Sequence, residues 1–135
     1  MAQKYRVSPT VTDIPKWVRE AAQSLNSFLR ESSDTNDGIT AGTVQTQAGA
    51  TALKLGTNRV STANTNDGVL LPFSTGGGEC VIRNDGGAAV KIWPQTGASI
   101  DGGSANAADS NVLPNGAARS YRAMSSTTWY TIGNS

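Results

Sequence analysis

The apolar positions of this chain fall into two regimes. Between residues 13 and 31 they recur at helical spacing: Ile14, Val18, Ala21, Leu25 and Phe28 stand 4, 3, 4 and 3 positions apart, and Trp17, Ala22 and Leu29 widen the stripe. This predicts one amphipathic helix with a heptad-like seam about two heptads long. Thr12 or Asp13 can cap its start, and Pro15 sits in the first turn, where a missing N–H costs nothing. Ahead of it, Val7, Pro9 and Val11 alternate with polar residues, which predicts an extended arm.

Beyond residue 42 the pattern becomes one of short β-forming runs between turn clusters. The runs at 43–46, 51–55, 59–61, 68–73, 79–83, 89–93, 118–124 and 128–132 are candidate strands. Asn66-Asp67-Gly68, Thr75 to Gly78, Asn84 to Gly87, Thr96-Gly97, Asp101 to Ser104 and Asn115-Gly116 supply turn chemistry between them. Cys80 and Ile82 oppose Val81 and Arg83, while Val90 and Ile92 oppose Lys91 and Trp93, as in half-buried strands, with the inward face left open. About eight short strands at this spacing predict a mostly β chain whose body, residues 43–135, is a jelly-roll-like antiparallel β-sandwich. The polar stretch 32–42 reads as a linker to an arm-and-helix segment, 1–31. Thr-Asn-Asp-Gly occurs at 35–38 and 65–68, and Asn-Asp-Gly again at 84–86; the intervals of 30 and 18 give no regular repeat, and convergent turn chemistry accounts for them.

Composition removes several function classes. The chain has 135 residues, enough for one domain with its own core. With a net charge of +1 it lacks the basic excess of a nucleic-acid binder. The charge is uneven: residues 1–30 carry Lys4, Arg6, Lys16, Arg19 and Arg30 against Asp13 and Glu20, so the remainder is mildly acidic. A basic arm on an acidic body suits an acidic partner surface. No apolar run approaches the ~18 residues of a membrane span. The start, Met-Ala-Gln-Lys-Tyr-Arg, has no apolar signal core, so synthesis in the cytoplasm without standard export is expected.

Chemistry is sparse. There is no histidine, so the usual general base, triad member and transition-metal ligand are missing. The single cysteine, Cys80, has no partner for a disulfide and lies in an apolar run, as a buried structural thiol does. Asp34-Thr35-Asn36-Asp37-Gly38 resembles the start of a calcium loop, but the downstream glutamate and ligand spacing are absent. Gly76-Gly77-Gly78 is followed by no Gly-Lys-Ser/Thr, so it is not a phosphate loop. Most carboxylates stand beside Gly or Asn, where Asp makes turns, and no pair signals a hydrolase. No catalytic, cofactor-binding or metal-binding residues, no cofactor and no small-molecule ligand are expected. The aromatics Trp93, Tyr121, Trp129 and Tyr130 are candidate interface residues, packing in a core or subunit contact or stacking on sugar rings.

The segment from Val81-Ile82-Arg83-Asn84 through Ala89-Val90-Lys91-Ile92-Trp93-Pro94 to Thr96-Gly97-Ala98-Ser99-Ile100-Asp101-Gly102 resembles a pattern of tailed-bacteriophage virion proteins. So do the following Asn106-Ala107, the Leu113-Pro114-Asn115-Gly116 turn and the closing Trp129-Tyr130. The run from Ile14-Pro15-Lys16-Trp17-Val18 to Leu25-Asn26-Ser27-Phe28-Leu29-Arg30 is similar to short N-terminal helices of phage decoration and fibre proteins. The resemblance implies a non-enzymatic virion component with a β-sandwich or jelly-roll body. Size and the basic arm then favour a capsid decoration (cement) protein on the outer capsid surface, bound to the major capsid protein and to further copies of itself as a dimer or trimer. Lys4, Arg6, Ile14, Trp17, Val18, Leu25 and Phe28 are the expected capsid or subunit contacts. The alternative is a head-fibre or tail module that binds host glycan through the clustered aromatics.

Overall fold

The computed structural model of the chain describes residues 35–132. The expected arm and helix at 1–31, with Lys4, Arg6, Ile14, Trp17, Val18, Leu25 and Phe28, lie outside the described residues. Those described contain no helix and nine strands. In chain order they are β1 (Thr35–Thr40), β2 (Thr51–Ala52), β3 (Gly56–Thr62), β4 (Asp67–Leu70), β5 (Glu79–Asn84), β6 (Val90–Trp93), β7 (Ser99–Ile100), β8 (Ala118–Ser125) and β9 (Thr128–Thr131).

The mostly β expectation holds, but the pairing is not that of an antiparallel jelly roll. A large sheet has the order β1-β3-β5-β8-β9-β7, and a small sheet β2-β4-β6. β1, β3 and β5 pair in parallel, as do β2, β4 and β6. The chain therefore alternates between the two sheets, each large-sheet strand followed by a small-sheet strand, and winds three stacked coils around one core. The coil length varies. Thr57 pairs with Thr35, 22 positions back, Cys80 with Gly56, 24 back, and Val69 with Thr51, 18 back. Such variation leaves no fixed period in the sequence. The Asn-Asp-Gly motifs occupy unlike places: the first lies in β1, the second leads into β4, and the third ends β5.

The final hairpin breaks the coil pattern. β8 runs antiparallel to β5 and β9 antiparallel to β8, while β7 pairs parallel with β9. The β8–β9 hairpin is thus inserted between β5 and β7 rather than added at an edge. The returning loop covers the other side of β6: the Asp109 N–H donates to the Ile92 carbonyl, and Val90 and Leu113 exchange both backbone bonds.

Alternation along the strands sets the core. Cys80, Ile82 and Asn84 of β5, Val60 of β3, and Val90 and Ile92 of β6 point inward. They meet Ile39, Leu53, Val69, Leu71 and Leu113, and the hairpin adds its two large rings, Tyr121 and Trp129. Two segments differ from expectation. The linker at 32–42 contains β1, whose Ile39 enters the core. It looked like a turn because Asp37-Gly38 forms a bulge there, with Gly38 at φ +72° and a register shift between Asn36 and Ile39. The expected strand at 43–46 is instead a turn, with Val44 exposed and its carbonyl accepting from the Thr46 N–H.

Close backbone approach fixes two further glycines. Gly42 and Gly68 exchange backbone hydrogen bonds; a Cβ on Gly42 would lie 1.9 Å from the Gly49 carbonyl oxygen, and one on Gly68 3.0 Å from Trp93 Nε1. At the corners, buried asparagines hold the chain. The Asn58 side chain accepts from the Lys54 N–H and donates to the Lys54 carbonyl, closing the β2–β3 turn. Asn84 does the same for the β5–β6 corner through the Gly86 N–H and the Ala88 and Leu113 carbonyls. These bonds supply buried turn backbone with partners that a regular ladder would otherwise provide.

Candidate functional site

The inserted hairpin carries the most concentrated polar chemistry among the described residues. β8 turns Arg119 and Tyr121 inward, and the loop ahead of it delivers Asp109 to the same place. Arg119 Nη1 reaches Asp109 Oδ2 at 3.2 Å, and Tyr121 donates to the same oxygen at 2.5 Å. Arg119 also donates from Nη1 to the Asn111 carbonyl at 2.7 Å and from Nη2 to the Val112 carbonyl at 3.2 Å. Asp109 Oδ1 accepts from the Asn111 N–H. A buried ion pair is tolerated when further hydrogen bonds satisfy both partners, and that holds here. Burial pushes the Tyr121 hydroxyl well above its ordinary range, so it remains a donor to Asp109.

Above this network opens a cavity of about 430 Å³. Asp109 and Arg119 form part of its lining, Val112, Pro114 and Ala117 give an apolar wall, and Asp101, Asn111 and Thr131 complete it. Asp101 is held by Thr131, whose N–H donates to Oδ1 at 2.9 Å and whose hydroxyl donates to Oδ2 at 3.0 Å. Asp101 sits at φ +52°, a left-handed turn that the following Gly102 continues.

The four aromatics singled out from the sequence do not form one surface. Trp129 and Tyr121 are core residues, 1% and 0% exposed. Trp93 is half-buried over Gly68 with Lys91 Nζ 5.9 Å from its ring centre, and its Nε1 has no hydrogen-bond partner among the described residues. Tyr130 alone is exposed, on the outer face beside Arg122. Only Tyr121 and Trp129 belong to the core packing of the hairpin. Cys80 is buried, its sulfur 3.4 Å from Asn58 Nδ2, and burial pushes its thiol up to about 12. That is the inert structural thiol its apolar neighbours implied.

Two features escaped the sequence. The outer face of the coils carries an ionic ladder in which Arg59 bridges Asp37 and Asp85, and Asp85 also takes Arg83, each at 2.9 Å. The Arg59 hydrogen bond, first among the causes, holds both carboxylates below their ordinary range. The second is a set of exposed apolar side chains. Leu55 and Phe73 each lie three residues past the paired Ala52 and Leu70, in the connections leading from the small sheet to the large one, and are 39% and 62% exposed. Met124, 65% exposed, lies on β8 next to Ala123, whose backbone bonds to Gly77 and Gly78. Their exposure could not be read from the sequence.

No protein-family model matches the chain, and no curated protein or solved structure is significantly similar to it. The fold itself defines the class: a short parallel two-sheet coil with an inserted antiparallel hairpin. Among the described residues no group of three or more Cys, Asp or Glu is placed to hold a metal ion, and no helix is long and apolar enough to cross a membrane.

Proposed function

We propose that this chain is a non-enzymatic structural protein of a phage virion, bound to the outside of the capsid through its N-terminal segment and clamped by contacts between neighbouring β-bodies. The observation that supports the body–body part is the exposure of three large apolar side chains, Leu55, Phe73 and Met124. Monomeric surfaces expose single apolar residues freely, and contacts with neighbouring copies would cover these three. Repetition of a weak contact over a shell gives it strength through multivalency. The virion part rests on the resemblance at residues 81–130 and on the basic segment 1–30.

The test uses the full chain and capsids of the encoding phage from which it has been stripped. The wild type should re-decorate them in an ordered array seen by electron microscopy. The triple variant Leu55→Ser, Phe73→Ser, Met124→Ser should keep its circular dichroism spectrum yet lose neighbour-to-neighbour order. Normal decoration by that variant would remove these three side chains from the reading. Failure of the wild type to bind capsids would overturn the virion assignment itself.

A further inference from the structure

We propose that the cavity beside the Asp109–Arg119 pair is a binding site for a neutral, hydroxyl-rich saccharide unit. The volume, about 430 Å³, falls within the ~300–1,000 Å³ typical of small-molecule sites. Its chemistry narrows the ligand class by elimination. Anions are disfavoured, since the one guanidinium in the wall is neutralised by Asp109 and its Nη groups are spent on Asp109, Asn111, Val112 and Tyr121, while Asp101 adds a negative charge. A bare cation finds few lone pairs. Asp109 Oδ2 already accepts from Arg119 and Tyr121 and its Oδ1 from the Asn111 N–H, so Asp101 is the one carboxylate left with open lone pairs, and among the described residues no group of three or more Cys, Asp or Glu is gathered to hold a metal ion. A wholly apolar ligand would strip water from Asp101 and Asn111 without replacing it.

What remains unspent matches a sugar. The Asn111 carboxamide makes no hydrogen bond among the described residues and offers both a donor and an acceptor. Asp101 keeps acceptor capacity on Oδ2, in a fixed position because Thr131 anchors it from two atoms. Val112, Pro114 and Ala117 supply apolar lining against which the C–H face of a pyranose can pack. The buried ion pair acts behind them as a rigid floor: Arg119 fixes the Asn111 and Val112 carbonyls, so the loop that carries both Asn111 and the apolar wall is pre-organised. Of the aromatics only Tyr121 touches this site, through its hydroxyl on Asp109, and the site stands whether or not the chain decorates a capsid.

The experiment is a glycan array probed with the full-length chain, followed by 15N chemical-shift titration with the best neutral hit and with sialic acid as an anionic comparison. A neutral glycan should bind saturably and shift the Asn111, Val112 and Thr131 amides. Asn111→Ala, at an exposed side chain, should weaken binding at least tenfold without altering the spectrum elsewhere, and Asp101→Asn should weaken it as well. The proposal is overturned by an array with no neutral hit, by a preference for the anionic sugar, or by binding that Asn111→Ala leaves unchanged.

Discussion

The coils and the inserted hairpin are stabilised in different ways. In the coils, small and medium side chains such as Ile39, Val60, Val69, Ile82 and Val90 stack layer on layer, and buried asparagines close the corners. No single residue dominates. The hairpin concentrates its contribution in a few large or charged groups: Trp129 and Tyr121 are the largest fully buried side chains, and Arg119 and Asp109 are buried beside them. A repeated architecture spreads its stability, whereas a plug inserted between β5 and β7 depends on a few irreplaceable contacts.

The sharpest test of this contrast is Arg119→Met, which leaves the Asp109 carboxylate buried without its counterion. Removing one partner of a buried pair costs about 3–5 kcal/mol. Urea unfolding should therefore show a large loss for Arg119→Met and partial recovery in Arg119→Met combined with Asp109→Asn. Equal losses in the single and double variants would mean that the pair contributes packing rather than charge compensation. A coil substitution of similar bulk, Ile82→Val, should cost only ~0.5–1.5 kcal/mol.

Gly42→Ala comes next. Its Cβ would meet backbone, the Gly49 carbonyl oxygen, rather than a side chain that can swing away. Overpacking of this kind costs about 1–3 kcal/mol. Hydrogen exchange should show the loss concentrated at the open first coil, with the Ala41 and Gly42 amides losing protection while those of β8 and β9 keep theirs. Uniform loss would show that coils and hairpin unfold as one unit.

The same contrast governs what could be read from the sequence. Alternation in β5 and β6 identified strands with one buried face, and that was correct. It did not reveal strand direction, because a coil with both outer faces in solvent shows the same period of two as an antiparallel sandwich. Direction was hidden further by coil offsets of 18 to 24 residues, as between Thr51 and Val69 or Gly56 and Cys80. β1 was missed because Asp37-Gly38, a turn signature, forms a bulge inside the strand. In the hairpin, Trp129 and Tyr121 were visible as aromatics that could pack in a core or a subunit contact, and both lie in the core. The cavity draws on Asp101, Asp109, Asn111 and Thr131, brought together only by the inserted topology. No local motif joins them.

Cys80 offers a test of the coil interior through pH. Its folded pKa is raised from 9.0 to about 12, so the neutral thiol is the form the fold prefers. Below 9.0 both states are protonated and the group contributes no pH dependence. As pH rises from 9.0 towards 12 the unfolded chain ionises first, and stability falls by ~1.4 kcal/mol per pH unit. Between pH 9 and 10.5, wild type should therefore lose more stability than Cys80→Ala, in which the other groups titrate but the thiol is gone. Native protein should also resist iodoacetamide at pH 8 and react once unfolded. Rapid labelling of the folded chain would show that the coils open locally.

The smallest effect belongs to the outer ionic ladder. Arg59 lies half exposed between Asp37 and Asp85, where solvent screens the pairs and measured contributions are slight. Both carboxylates titrate below their ordinary 3.8 in the folded state because Arg59 hydrogen-bonds them. Their contribution is therefore present above pH 3.8 and is lost as pH falls through the lower folded values. Arg59→Ala should lower the urea midpoint slightly at pH 7 and low salt, with the difference fading in 1 M salt and again in strong acid. A loss comparable to that of Arg119→Met would mean that the outer ladder sets the coil register, and the division between a distributed coil and a concentrated hairpin would no longer hold.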